Sequence, residues 1–533
     1  MRKHLKLLLL VSSTIPLATR TPAQTPVPRA VRAAADRIST ARIRSDIDYL
    51  ASDALRGRGT FSPGLDTAAQ FIVRRLQKAH LQPFGENGTY LEYFALVGGT
   101  PDTSAMFLEV GDHRLGFGDV LLNPFVKAID TTTSVVFVGD GVRIPSKNID
   151  AYAGLDLRGK LVLALQALPK GISPNSLPAD FEGPRITPAR LGAAGTILVP
   201  VKPLLDNWSG IRSSPVWTFA ELDPPAPTMI PLITTILVHP ETARTLLAAN
   251  PEKVDGIFNR APGAEFPRPF ELNQKVRAYI PGSRSRRTTY NIVAMIKGSD
   301  PTLSNEYVTV AAHLDGAVWS PLIPGDTVFN AADDNATGSA GILAVAEQMI
   351  RAPHPRRSVV FIWDTGHEIG LFGSQEFVAS GIVPLRNIVA HFNVDMIGGT
   401  AAPADTSSML TKAHEVFVVG PRVLSTSLDS LLERTNRGYL QLRLNHALDD
   451  PGSEFYYPRT DTKPFIEHGI PTIDFFTGIH ARYHRSNDEA RYVDMTKVQE
   501  VSRAVMASVW AVANDPRRPQ LDKGIPARVR RVQ

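Results

Sequence analysis

None of the 533 residues is cysteine, which excludes a disulfide scaffold, a cysteine-ligated zinc or iron–sulfur site and cysteine catalysis. The chain also lacks a run of about 20 apolar residues, the length a helix needs to cross a bilayer, so no stable membrane insertion is expected. It shows no internal repeats. Charged residues make up only 20% of the chain, but hydrophobic residues reach 43% and mean hydropathy is −0.06, which excludes a mainly disordered protein. A large charge of one sign is missing too. The formal +5 is concentrated at the ends: Arg2, Lys3, Lys6 and Arg20 in the first 23 residues, and Arg517, Arg518, Lys523, Arg528, Arg530 and Arg531 against Asp522 in the last 18. Between them lie 47 basic and 51 acidic residues, so no nucleic-acid partner is expected.

What is present begins with a basic start, an apolar stretch opening at Leu7–Val11 and a small-residue Thr21-Pro22-Ala23, which together read as a signal peptide over 1–23. An exported chain without cysteine points to a bacterial periplasm or medium. At about 100–200 residues per domain, the length predicts several domains. Residues 24–126 contain helical spacing at Ile43, Ile47, Leu50, Ala51 and Leu55, and again at Ala68, Phe71, Ile72, Leu76 and Leu81, with a Gly- and Pro-marked loop between. Residues 127–265 change texture: short β-rich runs (Ser134–Val138, Lys160–Leu165, Thr196–Val199, Thr234–Val238) separated by Pro- and Gly-rich turns predict an inserted β-rich module. Residues 266–515 alternate strand and helix, with strands expected at Tyr307–Ala312, Ser358–Trp363, Ile388–Val394 and Pro471–Phe476. The fold class expected is α/β, a mixed but mostly parallel sheet covered by helices on both faces. Residues 516–533 read as a mobile basic tail.

In open α/β sheets, ligands bind beyond the carboxyl ends of the strands. Those ends carry His313-Leu314-Asp315, Asp364-Thr365-Gly366-His367-Glu368 and Asp395. Asp333-Asp334 precedes the helical pattern at Ile342–Met349, and Tyr483-His484 follows the last strand. Imidazoles and carboxylates at one rim suit Zn²⁺, and a carboxylate can bridge two ions. Three other motifs fail. Gly154 with Gly159-Lys160 approaches a phosphate loop, but Leu161 stands where Ser or Thr is needed and a strand follows. His367-Glu368 opens a His-Glu-x-x-His pattern that Leu371 breaks, and no Gly-x-Ser-x-Gly elbow occurs.

With these residues in view, the sequence resembles the M28 zinc peptidases, which include bacterial and fungal aminopeptidases and the glutamate carboxypeptidase II relatives. The matching stretches are AAHLDG (311–316), AADDNATGSAG (331–341), GHEIGLFGSQEF (366–377), NVDMIGG (393–399), RTDTKPFIEHGIP (459–471) and YHRSND (483–488). DYLASDALRGRGTFSPGLDTAAQFI (48–72) is similar to the family's opening segment. LRGKLVLAL (157–165) and ARLGAAGTILVP (189–200) resemble a protease-associated domain. The resemblance implies a zinc exopeptidase fold with two zinc ions per chain. Asp334 would bridge them, His313 and Asp395 would hold one, and Glu368 and His484 the other, while Asp333 falls outside the ligand set. Asp315 would orient an imidazole, and Tyr483 would hydrogen-bond the developing oxyanion. Asp461 matches a family pocket position without an assignable role. His480 is expected to line the pocket, and His391, His446 and His468 to be structural.

The family's Glu-Glu pair is His367-Glu368 here, so a histidine holds the general-base position. It could work as the base, it could be bypassed by an Asp or water with slowed chemistry, or its presence could mark a dead enzyme. The resemblance implies removal of N-terminal amino acids from a peptide with a free N-terminus, by a hydroxide shared between the metals. The alternatives are a carboxypeptidase of glutamate carboxypeptidase type, a one-zinc glutaminyl cyclase-like transferase and a catalytically impaired binding homologue.

Overall fold

The computed structural model describes residues 27–525 apart from 123–125, 173–177, 179, 207, 214–218, 225–232, 261–263, 317–324, 405–408 and 451–458. The expected signal peptide, 1–23, lies outside the described residues. No helix among them is long and apolar enough to cross a membrane.

The larger sheet runs in the order Phe219–Asp223, Leu91–Pro101, Gly282–Ile296, Ser358–Asp364, Tyr307–His313, Ile388–Val394, Thr472–Phe476, Glu415–Val419 and Arg443–Asn445, with Gln82–Pro83 pairing onto Gly282–Ile296. Its four central strands, 358–364, 307–313, 388–394 and 472–476, are mutually parallel, and apart from the half-buried Tyr307 they are buried from end to end. Burial on both faces is what makes such strands continuously apolar. The flanks are largely antiparallel: 282–296 pairs antiparallel with both 358–364 and 91–101, and 415–419 with 472–476, while the edge strand 443–445 runs parallel to 415–419. The sheet is therefore mixed, and "mostly parallel" fails along the antiparallel arm from 219–223 to 282–296. The antiparallel arms carry alternating polar residues such as Arg284, Arg286 and Thr288, which did not stand out as strand in the sequence.

Helices cover both faces. One face of the sheet presents Val308, Val310, Ala312, Val359, Phe361 and Trp363 to helices Thr40–Leu50, Pro63–Lys78, Gly338–Met349, Thr426–Gly438 and Met495–Asn514. The other presents Ala311, Val360 and Ile362 to Phe377 and Val378 of helix Phe372–Ser380 and Phe465 of Thr462–Glu467. Helix 338–349 is buried nearly all round because it is sandwiched between the sheet and helix 495–514. Its first residue must be glycine: a Cβ on Gly338 would stand 2.3 Å from both Asn335 Oδ1 and the Val394 carbonyl. That close approach brings the 332–337 turn against the end of strand 388–394.

A second sheet of eight strands has the order 113–116, 107–110, 270–280, 129–137, 161–165, 195–199, 235–238 and 120–122. Apolar clusters cover its two faces, one around Phe137, Leu163, Ile197 and Ile236, the other around Val136, Val162 and Leu198. The four expected β-rich runs form its parallel centre. The sheet extends on both sides of the expected 127–265 limits, because hairpin 107–116 and strand 270–280 add antiparallel edges that no turn signal marked off.

The tail also departs from expectation as far as Ile525. Arg518 Nη2 donates to the Arg386 carbonyl (2.6 Å), Asp522 accepts from the Thr426 amide (2.8 Å), and Leu521 and Ile525 pack with Leu424 and Phe476. Two apolar side chains set among the arginines give this stretch something to bury.

Candidate metal centre

The strand ends converge as the sequence suggested. His313 closes strand 307–313, fully buried, and its Nε2 lies 3.3 Å from Asp334 Oδ1 and 3.3 Å from Asp395 Oδ1. His484 Nε2 lies 3.1 Å from Asp334 Oδ2 and 3.3 Å from Glu368 Oε2. The two oxygens of Asp334 are thus divided between the two imidazoles, each of which has one further carboxylate beside it. The donor set fits two zinc ions: ligand atoms sharing a tetrahedral ion with bonds of about 2.0–2.1 Å stand about 3.3 Å apart. Glu368 Oε1 is buried with no hydrogen-bond partner among the described residues, as a carboxylate oxygen kept for a cation would be.

The backbone around the ligands is built by other polar groups. Asp488 Oδ2 accepts from the amides of Asp333 (3.0 Å) and Asp334 (3.1 Å). Asn335 donates to the Val394 carbonyl (3.0 Å) and accepts from the Met396 amide (3.2 Å), tying the Asp334 turn to the Asp395 loop. Asp333 takes the Gly398 amide (2.7 Å) and lies 3.2 Å from His480 Nε2. Its carboxylate is spent on structure.

Asp315 does something other than orient an imidazole with its carboxylate. His313 Nδ1 donates to the Asp315 main-chain carbonyl (2.9 Å), while the nearest carboxylate oxygen is 3.9 Å away. The carboxylate instead accepts from Thr60 Oγ1 (2.8 Å) and from the amides of His367 and Glu368 (both 3.3 Å). It fixes the loop that presents those two side chains. Asp315 lies two residues past His313, the last residue of strand 307–313, where strand alternation no longer sets which way a side chain points, so the sequence spacing alone did not reveal this.

His367 Nδ1 donates to Asp461 Oδ2 (2.6 Å), and Asp461 Oδ1 accepts from Ser374 Oγ (2.6 Å). Asp461 is wholly buried. The His367 ring stacks on His313 with centroids 3.8 Å apart and planes 6° from parallel. Although His313, His367 and Asp395 bring ligand atoms within 4.8 Å of one another, two parallel stacked imidazoles cannot both aim in-plane lone pairs at one ion. Tyr483 stacks on His484 (3.8 Å, 24°), and its hydroxyl accepts from Arg459 Nη2 (3.4 Å).

The electrostatics reflect crowded acids. Burial opposes charge on His313 and His484, but Asp395 and Asp334 around the first, and Glu368 and Asp334 around the second, outweigh it. His313 is held well above its ordinary range and His484 is pushed up to about 10. Burial also opposes charge on His367, yet Asp461 and Asp395 push it up to about 10. Asp334, despite its burial, is held far below the usual carboxylate range by the two imidazoles. Burial and neighbouring acids raise Glu368, Asp364 and Asp474.

Sequence reasoning gave no role to two residues that matter here. Asp461 is one. The other is Arg58, a fully buried guanidinium that donates to the carbonyls of Leu314 (3.0 Å), Asn330 (3.0 Å) and Ala331 (2.9 Å), and to that of Leu50. Burial lowers its pKa to about 10 against the pull of Asp315 and Asp488. Its signal in the sequence was an arginine inside a Gly-Arg-Gly loop between two helices, which reads as solvated.

Residues 291–509 match the model of peptidase family M28. This part of the chain is a family M28 peptidase domain. The M28 domain contains all five residues of the paired cluster, together with His367, Asp461 and Tyr483. Among curated proteins, a probable leucine aminopeptidase 2 of Aspergillus oryzae is 25% identical over 261 residues, which is 45% of this chain and 48% of that protein. Leucine aminopeptidase 2 of Trichophyton equinum is 28% identical over 197 residues, 36% of this chain and 34% of that protein. The chain thus spans about half the length, or less, of these relatives. The fold is similar to that of an aminopeptidase from Aneurinibacillus sp. strain AM-1, with 17% identity, a TM-score of 0.56 and coverage of 92% of this chain and 96% of that one. It is also similar to a zinc aminopeptidase from Bacillus subtilis, with 16% identity, a TM-score of 0.51 and coverage of 92% and 98%.

Proposed function

We propose that this protein is an exported exopeptidase of aminopeptidase type that uses two zinc ions to remove N-terminal amino acids from peptides. The observation that carries this reading is the division of the Asp334 carboxylate between His313 and His484, each with a second carboxylate at 3.3 Å. His313 and Asp395 would hold one ion, Glu368 and His484 the other, and Asp334 both. Bound there, zinc supplies Lewis acidity toward the scissile carbonyl and makes water acidic enough to attack at neutral pH.

The remaining work falls to the chain's own side chains. Asp461 accepts the Nδ1 proton of His367, so the nitrogen free to take a proton is Nε2. His367 removes the proton of the attacking water there and delivers it to the leaving amine. The positive charge of two ions counters the acids that raise its pKa, bringing it toward the range in which a histidine base works. The Tyr483 hydroxyl donates to the oxyanion of the tetrahedral intermediate. Action at the N-terminus is favoured by the aminopeptidases that this chain resembles in sequence and in fold. The second sheet acts as a protease-associated domain that narrows access to the cleft. Residues 1–23 serve as the export signal.

The test is incubation of the mature protein with a short peptide, either free or N-acetylated, with and without a chelator. Release of the first residue from the free peptide only, lost on chelation and restored by zinc, is expected, as is loss of turnover in Glu368→Ala and His484→Ala. Release from the C-terminus would assign a carboxypeptidase instead, and no release with any metal would assign a binding homologue.

A further inference from the structure

A second group of metal-binding side chains lies outside the peptidase cluster. Asp429 and Glu433 are four residues apart on helix Thr426–Gly438 and so share a face. His446 follows the sheet's edge strand Arg443–Asn445 and comes up against that face. One ligand atom from each of the three lies within 4.8 Å of the others.

The His446 side chain is only 4% exposed, yet neither ring nitrogen has a hydrogen-bond partner among the described residues. A buried imidazole without partners on either side is costly and calls for an explanation. Its Nε2 stands 3.6 Å from Glu433 Oε1, and its Nδ1 stands 3.8 Å from Asp449 Oδ2. The first separation is beyond a hydrogen bond and a few tenths of an ångström above the separation, about 3.3 Å, of two atoms that share a tetrahedral ion. Asp429 Oδ1 is likewise buried and without a hydrogen-bond partner among the described residues. Asp449 is held in place by the amides of Gly420 and Arg422 (both 2.9 Å), which leaves it beside Nδ1 as the carboxylate that orients a metal-bound imidazole.

Arginines are near, but they do not close the group. Arg422 lies 3.9 Å from Asp429 Oδ1 and 3.6 Å from Glu433 Oε1, and Arg437 lies 3.7 Å from Glu433 Oε2. None of these is a hydrogen-bond distance, and both side chains are more than half exposed, so they can move aside.

We propose that Asp429, Glu433 and His446 form a mononuclear site for a divalent transition-metal ion, separate from the peptidase centre, that ties helix 426–438 to the edge of the sheet. One imidazole with two carboxylates suits Zn²⁺ and its neighbours rather than Ca²⁺ or Mg²⁺.

The experiment is equilibrium dialysis of the metal-stripped full-length protein against a low micromolar zinc buffer, with bound zinc counted by elemental analysis and peptide hydrolysis assayed alongside. The wild type is expected to hold one more equivalent than His446→Ala and Glu433→Gln, while both variants keep the wild-type rate of hydrolysis. The nearly isosteric Glu433→Gln guards against a failure of His446→Ala to fold. An unchanged zinc count in the folded Glu433→Gln variant overturns the proposal. So does a matching loss of hydrolysis, which would place the missing ion in the peptidase centre. The count is repeated in Glu368→Ala, where one zinc equivalent that disappears on adding Glu433→Gln supports this site even if the two-zinc reading of the peptidase centre fails.

Discussion

His313 and His484 can bind metal only by giving up protons they hold firmly. Acids around them keep the first well above its ordinary range and push the second up to about 10, so at pH 7 both imidazoles of the ion-free protein are charged. A zinc ion needs the neutral ring, and each ion must displace a proton. Zinc loading at pH 7 should therefore release at least two protons per chain, one from each of these rings, and the apparent log K should rise by at least two per pH unit below neutrality. Calorimetry in buffers of different ionisation enthalpy measures the protons directly, and a release near zero would contradict the assignment of these histidines as ligands. His367 should behave differently because it is tied to Asp461 rather than aimed at an ion. His367→Ala should lower kcat by about 10²–10⁴-fold with zinc content unchanged. Asp461→Asn should lower kcat by about 10–100-fold with little change in KM, since it loosens the imidazole without touching substrate. Loss of zinc in His367→Ala would make that histidine a ligand instead of a base.

Elements differ in how plainly the chain announces them. The four central strands were legible to within a residue at each end, because burial on both faces forces a continuous apolar run such as Val359–Trp363. With the strands known, the rule that ligands gather at carboxyl ends brought His313, His367, Glu368 and Asp395 to one rim. The antiparallel arms at 91–101 and 282–296 were not legible, since their buried and exposed positions follow no regular alternation. Arg58 was lost for a related reason: it satisfies carbonyls of residues 314, 330 and 331, more than 250 positions away. No local pattern reports such contacts. Arg58 holds together the His313–Asp315 strand end and the segment leading to Asp334, so its removal should be felt in the whole domain. Arg58→Ala should cost about 3–5 kcal/mol and lower Tm by roughly 10 °C, and Arg58→Lys should recover only part, because three donors cannot serve four carbonyls. A thermal melt of the two variants checks this, and an unchanged Tm in Arg58→Ala would show that the carbonyls find water instead.

At the scale of the molecule, one ribbon joins the two sheets. Strands 91–101 and 282–296 pair antiparallel from Leu91↔Ile292 to Pro101↔Gly282, and the Asp102 amide donates to the Pro281 carbonyl (2.8 Å). The chain leaves and re-enters the peptidase sheet at facing positions, so the 180 residues from 102 to 281 could be replaced by a two-residue Asn-Gly turn. Among its described residues, the excised stretch approaches the site through Leu222. Leu222 packs with Phe94, Leu96 and Phe372, alongside Phe61 and Ile369, next to the loop that presents His367 and Glu368. Removing it uncovers those side chains and the edge of strand 91–101, so the excised protein should be less stable and more prone to associate. The five metal-binding side chains all remain, and zinc content should be kept. If the second sheet narrows the cleft, dipeptide hydrolysis should stay within a few-fold of the intact protein while longer peptides gain relative to it. An unchanged ratio of long- to short-peptide rates, measured side by side at equal zinc content, would leave the second sheet without a part in choosing substrate length.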